Sequence, residues 1–241
     1  MKFKKTWVAV MTAVVLTTTV SVMAEENTPS NLMITADTLS YDGTTGQAVA
    51  KGDVVITQAD KTMTGLEGTY NIKTKEASLT GGVSLIGDDT SMSAQSVHSY
   101  NDVQFKAEGN VHLTHMGREI NGDTVEYNMS TEYGVVDGNA RLYAEGTTLT
   151  ANHVEGWMNQ IKAVASGNVT FNNEERNAYG SADHATYTQT PGQDDGFVLL
   201  TGSAHVVQNG NVLNAPELRV RLNDNSAQTQ GGRSTLIITP R

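Results

Sequence analysis

Six histidines are the side chains in this 241-residue sequence best suited to bind a metal or act as a base: His98, His112, His115, His153, His184 and His205. His112 and His115 are three residues apart, which on a β-strand places them on opposite faces. The other histidines show no metal-ligand spacing. The pattern therefore predicts surface histidines, with neither a zinc site nor a general base.

Two pairs of acidic residues are the remaining candidates for chemistry. Asp88-Asp89 and Asp194-Asp195 lie in turn-like stretches, which favours solvated loops over carboxyl groups held across a glycosidic bond. The absence of cysteine excludes a disulfide framework, a thiol nucleophile and a cysteine metal site. No calcium-loop, nucleophile-elbow or phosphate-loop motif is present. We therefore predict that the protein is not an enzyme and uses no metal or cofactor.

A repeated unit must position every side chain, because it runs through most of the chain. Each copy contains a small residue, in most copies a tyrosine five positions later, a turn, a glycine, and residues two and four places after the glycine that are apolar in most copies. The glycines are Gly52, Gly81, Gly109, Gly138, Gly167, Gly202 and Gly231. They are 28 or 29 residues apart, except for one interval of 35. Such a period is typical of arrays in which one supersecondary unit stacks on the next.

The first unit, residues 33–56, shows the pattern inside each copy. Leu39 and Tyr41 alternate with polar residues, which predicts a strand with one buried face. Asp42-Gly43 predicts the turn, since both residue types tolerate positive φ. Gly52 within the returning strand predicts a bulge or bend with positive φ. Seven such units predict about 14 strands of roughly five or six residues in an open, curled antiparallel sheet, with the pairing order left open.

Two copies depart from the pattern. The interval of 35 residues indicates an insertion, which we place at residues 190–195 as an exposed loop. In the last copy Arg233 and Thr235 occupy positions where apolar residues are expected. Terminal repeats are often atypical because they face solvent or a partner.

Residues 1–24 have the features of a secretory signal peptide. Lysines at 2–5 precede an apolar segment at 7–22, and residues 22–24 form a small-x-small cleavage site. The alternative is an uncleaved membrane anchor, although the apolar segment is short for a span of about 20 residues. We predict cleavage after Ala24 and a periplasmic location, which N-terminal sequencing of the mature protein would test.

The rest of the chain is acidic and is expected to form a polar leader at residues 25–32 and one domain at 33–241. The chain has 16 basic and 26 acidic residues, and its formal net charge is −10 at pH 7. No basic run follows residue 24, which argues against nucleic acid as a partner. No long apolar run follows it either, so a further membrane helix is not expected.

The apolar positions of the units predict the interior of the sheet. Twelve of them are the candidates for contact with an apolar ligand: Leu39, Tyr41, Val54, Ile56, Val83, Leu85, Val111, Leu113, Val125, Leu142, Val169 and Phe171. One interpretation is a filled sandwich core. The other is a continuous slot open to a ligand, because alternation shows which face is inward and not whether the space is filled.

The segments at 36–42 and 50–56 resemble the OstA-like domain of lipopolysaccharide-transport proteins, and echoes of them recur at Tyr70-Asn71, Gly109-Asn110-Val111 and Tyr127-Asn128. That domain occurs in LptA, in LptC and in the N-terminal part of LptD, and the similarity covers residues 33–238. It implies an all-β, open, twisted antiparallel β-jelly roll whose apolar interior holds the acyl chains of lipid A.

The resemblance also implies partners. An OstA-like protein of this kind would bridge the two membranes by joining LptC-like proteins on the inner membrane and LptD-like proteins on the outer membrane, and would form head-to-tail homo-oligomers. Segments 32–39 and 235–239 could add strands to such neighbours. No cationic residue is evident at the mouth of the slot.

Two alternatives stay open. One is an LptC-like subunit anchored in the inner membrane. The other is an exported β-solenoid adhesin or enzyme, which predicts clusters of Asp, Glu or Arg at equivalent positions of neighbouring units; none is visible in the sequence.

Overall fold

A computed structural model describes residues 32–101, 103–144, 146–190, 196–221 and 226–239. Within these ranges all regular structure is β, and no helix is long and apolar enough to cross a membrane. The predicted signal peptide, most of the predicted leader and residues 191–195 of the predicted insertion lie outside the described residues. The strands are β1 (Met33–Thr35), β2 (Thr38–Asp42), β3 (Gln47–Gln58), β4 (Lys61–Asn71), β5 (Ala77–Ile86), β6 (Thr90–Tyr100), β7 (Gln104–His115), β8 (Arg118–Asn128), β9 (Tyr133–Ala144), β10 (Thr147–Trp157), β11 (Lys162–Asn173), β12 (Ala178–Gln189), β13 (Gly196–Gln208), β14 (Asn211–Arg221), β15 (Ala227–Gln230) and β16 (Thr235–Ile237).

The 16 strands form one sheet in which each long strand pairs antiparallel with the next strand in the chain. At one end β1 and β2 both pair with β3, and at the other end β15 and β16 both pair with β14. The predicted all-β, open antiparallel architecture is confirmed. The pairing order, which the sequence leaves open, is a simple meander, and it differs from the parallel stacking of a β-solenoid.

The predicted strand length is wrong. Strands β3 to β14 have 10 to 13 residues each, about twice the expected five or six. The reason is that the bulge at each unit glycine shifts the pairing register without ending the strand. The four short strands are the two edges of the sheet, each broken at its middle, so the predicted 14 strands correspond to twelve long strands and two broken ones.

Positive φ at the unit glycines is confirmed, and each of them begins a bulge. In β9, Gly138 has φ 71° and Asn139 has φ 51°. Pairing with β10 shifts register between Ala151 and His153, so that two residues of β9 lie opposite the single residue Asn152. The same two-against-one arrangement occurs in β3, β5, β7, β11 and β13.

The even-numbered strands respond to the bulges by bending. In β8, Ile120 and Gly122 are buried, and Tyr127 is buried as well, although it is an odd number of residues away from Gly122. The intervening Asp123 and Thr124 break the alternation of buried and more exposed residues. This break explains the five-residue spacing between the small residue and the tyrosine of this unit, since Gly122 and Tyr127 both face inward.

The bends fold the single sheet into two walls with facing apolar surfaces. We define the first wall as the half that contains the residues before each bulge glycine on the odd-numbered strands, and the second wall as the half that contains the residues after it. A Cβ added at Gly122, on the second wall, would lie 2.6 Å from Val136 Cγ1 on the first wall. One apolar cluster runs along the inside from Ala50 to Leu218.

The Asp42-Gly43 turn forms as predicted, but for a different reason. The Asp42 carboxylate accepts backbone N–H groups of Thr44, at 2.7 Å, and of Thr45, at 3.3 Å. The hydrogen bond from the Thr44 N–H is the main cause of the lowered pKa of Asp42. Positive φ occurs at Gly46 instead of Gly43. Asparagine caps the corresponding turns at positions 71 and 128 in the same way.

The unusual residues of the last unit result from a shifted register. Glu217 pairs with Gln230 and Asn214 pairs with Thr235, so this bulge contains one residue more than the others. The extra residue moves the inward positions by one place. Leu236 rather than Thr235 pairs with the interior residue Leu213, so the apolar lining continues to the edge.

The bulges make a testable prediction about stability. Gly117 lies in the turn between β7 and β8 with φ 75°, and a Cβ added to it would meet no atom, so Gly117→Ala should cost about 1–2 kcal/mol from left-handed backbone strain alone. Gly138→Ala should cost more, because the new methyl group would also lie 2.8 Å from Asp123 Cβ. Urea unfolding of the two variants compares these costs, and equal losses would contradict a close-packed bend.

Candidate functional site

The interior between the two walls is filled with side chains in the middle of the molecule. Leu142 on the second wall and Val154 and Ala165 on the first wall have no solvent-exposed surface. Neighbouring inward residues, among them Val136 and Val169, are almost equally inaccessible. In this part of the structure the apolar positions form a packed core.

The interior is open at the end formed by β1 and β2. A cavity of about 110 Å³, partly open to solvent, lies there between the walls. Ile34, Ile56 and Met63 line it from the second wall, and Leu79 and Phe105 line it from the first. We call this cavity the N-terminal mouth. Its apolar lining could hold hydrocarbon and offers little to a polar ligand.

A similar opening lies at the other end of the sheet. This cavity has a volume of about 230 Å³ and also receives side chains from both walls. Val206 and Leu236 line it from the second wall, and Val198 and Val220 line it from the first. We call it the C-terminal mouth. The molecule thus has an apolar opening at each end of one apolar interior.

Comparison with known proteins identifies the family. A family model described as LptA/(LptD N-terminal domain) LPS transport protein matches residues 33–160 and 119–226. The chain belongs to the LptA/LptD N-terminal domain family. No curated protein sequence matches it. The crystal structure of LptH, "the LptA homologous periplasmic component of the conserved lipopolysaccharide transport device from Pseudomonas aeruginosa", is similar at 13% sequence identity over 88% of this chain and 96% of that chain, with a TM-score of 0.23.

The predicted groove residues of this LptA/LptD N-terminal domain occupy three kinds of place. Leu39, Val54 and Ile56 line the N-terminal mouth, and Phe171 lines the C-terminal mouth. Tyr41, on edge strand β2, is 64% exposed. The other candidates belong to the packed interior: Val83, Leu85, Val111, Leu113, Val125, Leu142 and Val169. Whether they contact a lipid stays a prediction.

Several mouth residues are not among the sequence candidates. At the N-terminal mouth these are Ile34, Met63, Leu79, Val97 and Phe105, and at the C-terminal mouth Val198, Leu200, Leu213, Leu218 and Leu236. Most of them occupy the same inward positions of the repeat as the candidates. The alternation of apolar residues therefore identifies these positions as inward-facing. It does not show which units lie at the ends of the sheet, where the inward residues line a mouth.

The histidines of the family domain lie away from the mouth linings. His112 and His115 lie on opposite faces of β7, as alternation predicts. His112 and His205 each place Nδ1 2.6 Å from the side-chain oxygen of an asparagine on the next strand. Within the described residues, no group of three or more His, Asp or Glu side chains could hold a metal ion.

His153 is the histidine with the strongest electrostatic environment. Its Nδ1 lies 3.2 Å from Asp137 Oδ1, and its Nε2 lies 3.3 Å from Glu155 Oε1. Burial alone lowers the pKa of His153, but the hydrogen bonds and charges of the two carboxylates outweigh burial, so the net pKa is raised.

The raised pKa of His153 predicts a pH-dependent contribution to stability. Protonated His153 stabilises the folded state fully below its unfolded pKa of about 6.5, and this contribution is lost as pH rises through the folded pKa. His153→Gln should therefore be more destabilising at about pH 5.5 than at about pH 8. Urea unfolding at both pH values measures the difference. An equal loss at both would show that the carboxylates do not favour the charged imidazole.

Proposed function

We propose that this protein carries lipopolysaccharide through the periplasm by shielding the acyl chains of lipid A between its two walls, and that it performs no chemical step. The observation that carries the proposal is the pair of apolar mouths at opposite ends of one apolar interior. Membership of a family of lipopolysaccharide transport proteins supports the same ligand.

The energetics fit a carrier of this kind. Exposing hydrocarbon to water costs about 0.8 kcal/mol per CH₂ group, so one acyl chain of about twelve carbons would cost about 10 kcal/mol. The mouths contribute apolar surface that removes part of this cost. A lipid that passes from one mouth to the other must displace the packed side chains between them, so transport requires the walls to separate.

The edges of the sheet supply the proposed connections to other proteins. Among the described residues, strands β1 and β2 are paired on one side only, and so are β15 and β16 at the other end. Leu39 and Leu236 on these edges are more than half exposed. We propose that the edges add strands to LptC-like and LptD-like proteins and to further copies of this chain, which together bridge the inner and outer membranes.

Site-specific photo-crosslinking tests the lipid path. A photoreactive residue at Ile56 in the N-terminal mouth, and a second at Leu113 in the interior, should each become covalently attached to lipopolysaccharide. Lys51 is the matched control, because it lies on the same strand as Ile56 and is exposed. Attachment from Lys51 alone would contradict the proposal. Attachment from Ile56 without Leu113 would restrict lipid to the mouth.

A further inference from the structure

Two arginines lie on one aromatic ring beside the C-terminal mouth. The guanidinium carbon of Arg219 is 4.2 Å from the centre of the Phe197 ring, and that of Arg221 is 5.3 Å from it. Both arginines are on β14 and are exposed, two residues apart on the outer face of the first wall. The arginines do not line the C-terminal mouth itself but lie beside it, on the other face of β14.

The arginines border a depression that has its own polar groups. It has a volume of about 180 Å³, and its lining also includes Ser226, Ala227 and Gln228. The Ser226 hydroxyl and the Gln228 amide are hydrogen-bond donors. Two guanidinium groups with a hydroxyl and an amide are the donor set that suits the oxygens of a phosphoryl group.

The local charge favours an anion at this place. Bringing two like charges onto one ring is electrostatically unfavourable, and an anion between them would relieve the repulsion. Glu217 lies on the same face of β14, two residues before Arg219. This concentration of positive charge stands out in a chain whose net charge is −10.

The depression and the C-terminal mouth are adjacent. Ala227 on the edge strand β15 lines both cavities. Along β14 the side chains alternate, so that Leu218 and Val220 line the mouth while Arg219 and Arg221 point outward. A ligand with acyl chains in the mouth has only the short strand β15 to pass before its polar end reaches the arginines.

We propose that Arg219 and Arg221 form a binding site for a phosphoryl anion, with Phe197 holding the two guanidinium groups in place. A phosphorylated lipid headgroup and free phosphate share this chemistry. The headgroup assignment rests on the proposed function, since it requires acyl chains in the C-terminal mouth. The anion site itself does not.

The experiment compares lipid A that carries its phosphates with lipid A from which they have been removed, and adds inorganic phosphate as a third probe. Wild-type protein should bind the phosphorylated lipid about tenfold more tightly than the dephosphorylated one, an effect typical of charge-assisted hydrogen bonds. The double variant Arg219→Gln/Arg221→Gln should lose this preference and retain affinity for the dephosphorylated lipid. Arg219→Lys/Arg221→Lys should keep part of the preference.

Lys162→Gln is the matched control. Lys162 also lies over an aromatic ring, that of Trp157 at 4.7 Å, and on the outer face of the first wall. The substitution Lys162→Gln should not alter the preference for phosphorylated lipid. Unchanged far-ultraviolet circular dichroism would show that each variant is folded.

The outcomes separate the two proposals. Loss of the preference only in the arginine variants supports a headgroup site. Inorganic phosphate is followed by the NMR signals of the arginine side chains. A shift of these signals, with equal affinity for the two lipids, supports a site for free phosphate. If wild-type protein shows neither the lipid preference nor the response to inorganic phosphate, the anion site is wrong. If neither lipid binds, the carrier function fails, and the response to inorganic phosphate still decides the anion site.

Discussion

Truncating Leu142 to alanine should lower the free energy of unfolding by about 2–5 kcal/mol, the range found when a fully buried leucine leaves a cavity. Leu142 has no exposed surface and lies where inward side chains of both walls fill the interior. The walls are held by the bulged strands on either side, so the site cannot easily collapse around a smaller residue. Urea denaturation of the wild type and the variant measures the loss.

The control for this variant is the residue next to Leu142 on the same strand. Arg141 points outward, its side chain is 47% exposed, and it forms an ion pair with Glu119 at 3.5 Å. Arg141→Ala should change stability by less than about 1 kcal/mol, as expected for an exposed ion pair. A loss from Leu142→Ala as small as this would mean that the middle of the protein is an open slot in solution.

A packed middle and a carrier function are compatible if the packing is replaced by lipid. Acyl chains and apolar side chains are both hydrocarbon, and either one removes the apolar surface of a wall from water. A lipid between the walls would therefore replace the contacts that the walls now make with each other. The bulges are the natural place for the walls to move apart, because they form one line of left-handed backbone across all odd-numbered long strands.

The sequence was sufficient to predict an open, all-β antiparallel sheet because the repeat is regular, but it left the pairing order open, and the predicted strands are about half as long as those observed. The 28 or 29 residues between unit glycines correspond to two long strands and their turns. The alternation of apolar residues then predicts which face is buried. Glycine inside such an alternation predicts positive φ, and Gly138 and its equivalents have it.

The bend was harder to predict, although its signal is present. Gly122 and Tyr127 are five residues apart, and in a regular strand such residues point to opposite faces. That both are buried requires a break in the alternation between them, at Asp123 and Thr124. The odd spacing was visible in four of the five units with a tyrosine, but its meaning depends on the bulge in the neighbouring strand.

Whether the interior is filled could not be predicted from the pattern. Alternation assigns Leu142 and Ile56 to the same inward set, yet Leu142 is fully buried while Ile56 lines a mouth. The difference arises from their position along the sheet, since only the end units lack a neighbour on one side. The extra bulge residue near Gly232 likewise changes which residues of the last unit face inward.

The two edges of the sheet are complementary in direction and register. In the meander, the residue before a bulge glycine pairs with the residue two places after the small residue of the following strand, as Glu108 does with Thr124. At the C-terminal edge the residue before the glycine is Gln230. At the N-terminal edge the residue two places after Ala36 is Thr38. A second copy that continued the meander would therefore pair its Thr38 with Gln230 of the first.

This register predicts the result of a cysteine crosslinking experiment. Because the chain has no cysteine, any disulfide must involve the introduced residues. Directly opposed residues of antiparallel strands have Cα atoms about 4.5–5.5 Å apart, which suits a disulfide. The variant Thr38→Cys/Gln230→Cys should form a covalent ladder of chains under mild oxidation. The variant Thr35→Cys/Gln230→Cys should not, because a shift of three residues separates the sulfur atoms by roughly 10 Å. Equal ladders from both variants would indicate random collision, and a ladder from the second variant alone would show that copies join in another register.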